Sequence, residues 1–140
     1  FEISGRDVLG RGLLAEWCDV AALGDPGEPI DEGHRVALRL SPSVVAWATA
    51  LDAVKGAIGD DPARLVLCAE DPNDAALGEH LKRDGRAVVA DAGSVVMRAG
   101  EAELGRARCD ASPERRRAAI LAVAIAWTLG KSPAEVAAAA

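Results

Sequence analysis

Arg64-Leu65-Val66-Leu67-Cys68-Ala69-Glu70-Asp71-Pro72 is the stretch on which the fold turns. Five apolar residues follow one arginine and stop at two carboxylates and a proline. The run is too short for a buried helix and too uniformly apolar for a half-exposed strand. It predicts a strand buried on both faces, the kind found in parallel sheets covered by helices. Upstream, Cys18–Leu23 (Cys-Asp-Val-Ala-Ala-Leu) reads as a second buried strand that runs into the turn-rich Gly24-Asp25-Pro26-Gly27. Arg35–Leu40 alternates Val36, Leu38 and Leu40 with Ala and Arg, which suggests a short strand or an extended segment. Ser41-Pro42-Ser43 is a hydroxyl-and-proline helix start. Val44, Trp47, Leu51, Val54 and Ile58 follow at steps of three and four, a helical stripe ended by Gly59.

Downstream, Asp71-Pro72 introduces a helix carrying Leu77 and Leu81 and closed by Gly85. Ala87–Ala90 and Ser94–Arg98 flank Asp91-Ala92-Gly93 and predict an antiparallel hairpin. Ser112-Pro113 opens a long Ala-rich helix that stops at Gly130, and Ser132-Pro133-Ala134-Glu135 is a capping box for a last short helix. Phe1–Ser4 reads as the end of a strand and Asp7–Trp17 as a weak helix or loop. The alternation of strands and helices predicts an α/β fold of three layers, a mostly parallel sheet flanked by helices with an antiparallel hairpin near residues 86–98.

Composition narrows the functional classes. The 140 residues allow one domain. A formal charge of −6, with only three lysines (Lys55, Lys82, Lys131) among 16 basic residues, argues against nucleic acid as partner. The longest apolar run, Ala118–Leu129, is broken only by Thr128 and is too short to cross a bilayer, so no membrane partner is expected. Cys18, Cys68 and Cys109 are odd in number and widely spaced, and read as small core residues in a reducing, cytoplasmic compartment. His34 and His80 lie on polar segments without a second metal ligand nearby and read as surface histidines. The chain starts at Phe1 rather than Met, which suggests a processed product or a piece of a longer reading frame.

Five places could carry chemistry. Gly5-Arg6-Asp7-Val8-Leu9-Gly10-Arg11-Gly12 has phosphate-loop glycine spacing. Arg11 and Gly12 stand where such a loop needs Lys and Ser or Thr, so flexible helix-entry glycines are the expectation. Glu2 lies at a strand end, either solvated or able to hold Mg²⁺ through oxygen. Asp25, Glu28, Asp31 and Glu32 form an acidic loop without ligand spacing. Lys55 sits at the edge of the helical stripe, where it either snorkels or points at the strand ends. Asp71 either caps the following helix or faces a nucleotide.

In order, these pieces resemble the Mur ligase family of ATP-dependent amide ligases, most of all the ligase half of the cyanophycin synthetases, from Glu2 to about Ala139. A family strand end reads Glu-x-Ala-Arg-Gly-Gly-x-Leu-x-Arg-Gly-Leu, against Glu2-Ile3-Ser4-Gly5-Arg6-Asp7-Val8-Leu9-Gly10-Arg11-Gly12-Leu13 here. Cys18-Asp19-Val20-Ala21, Val54-Lys55, Val66-Leu67-Cys68-Ala69-Glu70-Asp71-Pro72 and Asp84-Gly85-Arg86-Ala87-Val88-Val89 follow in family order, then the Ala-rich helix ending Trp127-Thr128-Leu129-Gly130.

The resemblance implies that ATP phosphorylates a carboxylate and that an amine attacks the acyl phosphate. It implies Mg²⁺ at Glu2, a carbamylated catalytic lysine at Lys55, and nucleotide contact at Asp71. It also implies that residues 1–140 are part of a central domain whose phosphate loop and C-terminal ligase domain lie elsewhere, so that the rest of a longer ligase-like protein is the partner. The isolated chain is then expected to be inactive. Departures point to an alternative. Ile30 replaces a metal-site His and Pro29 the Asp before it, Glu114-Arg115 replaces His-Asn, and Ala118 replaces an Asn of the nucleotide pocket. These suit a degenerate, non-catalytic ligase-like module for assembly or small-molecule binding. An unrelated α/β domain is the third possibility.

Overall fold

The structure, a computed structural model, describes residues 18–24, 27, 29–109 and 112–139. The expectations for Phe1–Ser4 and Asp7–Trp17, and those for Glu2, Asp25 and Glu28, lie outside the described residues.

Among the described residues, six strands form one mixed sheet. They are β1 (Val20–Ala22), β2 (Ser43–Trp47), β3 (Leu65–Ala69), β4 (Arg86–Asp91), β5 (Ser94–Ala99) and β6 (Ala102–Arg108). Spatial order equals chain order, with β1 to β4 parallel and β4-β5-β6 antiparallel. Helices α1 (Glu32–Leu40), α2 (Leu51–Ile58) and α3 (Ala75–Lys82) connect the parallel strands. Helices α4 (Pro113–Thr128) and α5 (Pro133–Ala139) follow the hairpin strands.

This order decides the layers. Right-handed crossovers that always step the same way place their helices on one face. Leu38, Leu51, Val54, Leu77 and Leu81 of α1–α3 accordingly pack with Val44, Leu65, Leu67 and Val89. The opposite face, Val45, Trp47, Val66, Cys68, Val88 and Met97, is covered by Ile120, Val123, Ala124 and Trp127 of α4 and Val136 of α5. All five residues of β3 are buried, as its uninterrupted apolar run predicts. The three-layer α/β expectation therefore holds, with the antiparallel hairpin in place.

Several local expectations are corrected. The helix expected to open at Ser41 begins only at Leu51, after a 3₁₀ turn at Ala48–Ala50. Ser43–Trp47 is instead the strand between β1 and β3, with Val44 to Trp47 all buried. A helix there would have turned part of that run to solvent. A central strand buries both faces, and its valines favour the extended backbone.

Arg35–Leu40 is helical rather than extended. Asp31 Oδ1 accepts from His34 N at 2.9 Å, and Asp31 N donates to His34 Nδ1 at 3.3 Å, a reciprocal cap that the Val-Leu-Leu alternation conceals. The Arg64 guanidinium closes the other end of α1 by donating to Leu38 O and Arg39 O, each at 2.8 Å, and to Ser41 O. It thereby satisfies terminal carbonyls that the helix leaves open.

Helix α3 is capped by Asp74, whose Oδ1 accepts from Leu77 N at 3.1 Å, and not by Asp71. The hairpin turn is two residues long. Ala92 and Gly93 have φ of 44° and 76°, the all-positive pattern whose twist matches paired strands. Strand β6 is an addition that its charged, mostly exposed sequence hides. Its pairing skips Leu104 between Met97↔Gly105 and Arg98↔Glu103, a bulge that discourages pairing at this edge. Helix α4 starts at Pro113 and ends by Gly130, whose φ is +93°, and the Ser132–Glu135 capping box opens α5.

The cysteines and histidines divide. Cys68 is buried, and its burial pushes the thiol up to about 12. Cys109 is half-buried and Cys18 exposed, so the core expectation fails for Cys18. His34 is half-buried in the cap of α1. His80 is buried rather than on the surface, 5% exposed, with Nε2 3.1 Å from Arg86 O. Its ring lies flat against Gly85, where an added Cβ would overlap the imidazole. No helix among the described residues is long and apolar enough to cross a membrane.

Two outcomes follow from the His80 pocket. Gly85→Ala must push the ring aside, and we expect a loss of roughly 1–3 kcal/mol in chemical denaturation, as for other overpacked sites. Burial holds the His80 pKa below its ordinary 6.5. The folded chain therefore binds this proton less readily than the unfolded chain. The His80 contribution is full above pH 6.5 and declines as pH falls below that value toward the lowered folded pKa. Denaturation across this window should show that slope in the parent sequence and its loss in His80→Gln. An unchanged slope would remove His80 as its source.

Candidate functional site

Parallel sheets offer ligands the crevice beyond the carboxyl ends of their strands. Here a cleft of about 180 Å³ opens there, between the ends of β2 and β3, with Trp47, Thr49, Glu70, Asp71 and Asp74 on its walls. The chain builds it by turning sharply at the ends of two buried strands. After β2 it turns into the 3₁₀ segment at Ala48. After β3 it turns at Glu70-Asp71-Pro72, where Asp71 Oδ1 accepts from Asn73 N at 2.8 Å and Asp71 O accepts from Asp74 N at 3.2 Å. Asp71 thus holds its own turn, and its side chain remains exposed. Asp74 is committed to α3.

Helix α4 reaches the same end of the sheet. Arg117, in its second turn, donates from Nε to Glu70 Oε2 at 2.7 Å. At the far end of α4, the Arg86 guanidinium lies 5.5 Å from the Trp127 ring centre. These two contacts orient α4 antiparallel to β3 and β4. Trp47 lines the cleft while only 2% exposed, and its indole Nε1–H has no acceptor among the described residues. Leaving such a donor unmatched costs about 1–3 kcal/mol.

Lys55 lies elsewhere. Its Nζ is 3.1 Å from Asp60 Oδ1, in the loop that leads into β3, at the amino end of the strands. Arg83 Nη1 contacts both Asp60 carboxylate oxygens at 2.7 Å, and its Nη2 donates to Asp60 O at 3.2 Å. The Arg83 guanidinium first, and the Lys55 ammonium second, hold the Asp60 carboxyl below its ordinary range. Asp71 and Lys55 therefore stand at opposite ends of the sheet and are not brought together, while Glu2 lies outside the described residues.

Among the described residues, no three His, Cys, Asp or Glu side chains are grouped to hold a metal ion. With Glu70 paired to Arg117 and Lys55 to Asp60, this part of the chain does not fit a magnesium site. Ile30, which stands where the resembled family has a metal-site His, packs against the core.

Sequence reasoning singled out the Glu70-Asp71-Pro72 corner but missed Trp47 and Arg117 as its neighbours. Trp47 was counted in a helical stripe, and Arg117 is one of three consecutive arginines with nothing to distinguish it. No protein-family model matches the chain, and no curated protein matches it significantly.

The Asp60 cluster is open to direct measurement. In an NMR titration, Arg83→Ala should raise the Asp60 pKa toward its ordinary 3.8 more than Lys55→Met does. The reverse order would show that Lys55 is the principal partner.

Proposed function

We propose that this chain is the later part of a Mur-ligase-type central domain in a longer, ATP-dependent amide-ligase-like protein, and that alone it does not complete amide formation. The observation that carries this reading is the cleft at the carboxyl ends of β2 and β3, with the exposed Asp71 on its wall. A carboxylate at that end of a parallel sheet is placed to accept from the hydroxyls of a nucleotide ribose. Support also comes from the family-like order of motifs along the chain, and from β1 and β3, each parallel to β2, lying where those motifs have strands.

The degenerate, non-catalytic reading is favoured by two observations. Lys55 is engaged with Asp60 at the other end of the sheet, and Ile30 is a packing residue where the family uses a metal ligand. On this reading the cleft keeps a binding role, and Lys55 ties the loop before β3 to α2.

Calorimetry with ATP, paired with assays of amide formation in the parent protein, separates these readings. We expect no amide product from the chain alone and weak ATP binding that Asp71→Ala abolishes. Absence of nucleotide binding by both the chain and the parent would overturn the ligase ancestry as a statement about activity. In the parent, loss of amide formation in Lys55→Met with unchanged thermal stability would support catalysis by Lys55. Unchanged activity would support the structural role.

A further inference from the structure

On the helix-covered face opposite α1–α3 lies a second hollow, of about 530 Å³, within the size range of small-molecule sites. Val95, Val123 and Val136 line it together with Ala107, Ala122 and Ala126, so β5, β6, α4 and α5 all contribute. Its cause is legible in the side chains. Where α4 passes β5 and β6, it presents alanines at 119, 122 and 126, and short side chains leave the space between helix and sheet unfilled.

The mouth is polar. Arg108, Lys131 and Glu135 border it. The Glu135 carboxylate is already engaged, accepting from Ser132 N at 2.9 Å and from Ser132 Oγ at 2.8 Å. Lys131 is exposed in the turn between α4 and α5 and enters no ion pair among the described residues. An apolar hollow thus ends beside an available ammonium, in a chain whose net charge is −6.

We propose that this groove binds a small apolar carboxylate, its hydrocarbon part against the valines and alanines and its carboxylate at Lys131. The occupant is a monoanion because one uncommitted cation stands at the mouth, and apolar because the walls offer aliphatic contact. A second copy of the chain fits less well. The large exposed apolar side chains among the described residues, Leu40, Leu104 and Leu129, stand singly on separate elements and form no ridge that could enter a groove.

Cys109 lies in the groove wall and reports on occupancy. In a Cys18→Ser background the exposed thiol is removed, and Cys68 stays protonated with its thiol pushed up to about 12, so alkylation reads Cys109. Decanoate should slow that alkylation saturably, and decanol should do so more weakly. Lys131→Glu should weaken decanoate by about tenfold and leave decanol unchanged, since only the anion meets the altered charge. Ala122→Phe fills the groove from an exposed helix position and should abolish protection by both probes.

No protection by decanoate would overturn the proposal. So would equal affinity for decanol, or Lys131→Glu without effect on decanoate. Protection that rises with protein concentration alone, together with a dimer mass by light scattering, would assign the groove to a second copy and also overturn it.

Discussion

The parallel pairing of β2 with β3, buried on both faces, is the constraint on which the rest of the structure depends. A strand with no polar face must find cover above and below. Three helices arise automatically on one side, because each parallel step to the next strand requires a crossover of the same hand. The other side has no such supply, since β1 to β6 step across the sheet in one direction. That face is closed only after the hairpin strands, when α4 runs back across it and fills it with Ile120, Val123 and Trp127. The Ala-rich helix is therefore the second wall of the core, and its small side chains decide how completely that wall closes.

The same winding makes the two ends of the sheet chemically unlike. At the carboxyl ends, the turns that follow β2 and β3 leave a cleft edged by Glu70, Asp71 and Asp74. At the amino ends, the returning loops converge, and Asp60 is held between Arg83 and Lys55. These ion pairs are largely exposed, so solvent screens them, and they contribute more to the arrangement of loops than to stability. Lys55 on α2 belongs to the second end because a helix that follows a strand runs back toward that strand's start. The catalytic position that the family resemblance implies for a lysine is thus separated from Asp71 by the length of the sheet.

Close packing sets further limits. His80 occupies the space a side chain at Gly85 would need, and an added Cβ at Gly105 would approach Met97 Cε to 2.8 Å and Pro133 Cβ to 3.0 Å. At the outer edge, β6 carries a bulge at Leu104, and Arg106 bridges Glu103 and Asp91 at 2.9 Å each. An irregular, charged edge resists pairing with another strand, so the sheet ends where its sequence turns polar.

Much of this was legible in the linear chain wherever a short-range cause acts. The unbroken run of β3, the Gly93 turn, the start of α4 at Pro113 and the Ser132–Glu135 cap each depend on residues within one turn or one strand. The Glu70-Asp71-Pro72 corner was visible for the same reason. The strand at Ser43–Trp47 was not, because Val44 and Trp47 fit a helical step as well as a buried strand, and only neighbours on both sides settle the choice. The partners of Glu70, His80 and Lys55 were likewise hidden. By itself the sequence determined an alternating α/β chain with a fully apolar central strand. Only the tertiary structure decided which end of the sheet each charged residue occupies, because crossover handedness and helix direction act through contacts between segments far apart in the chain.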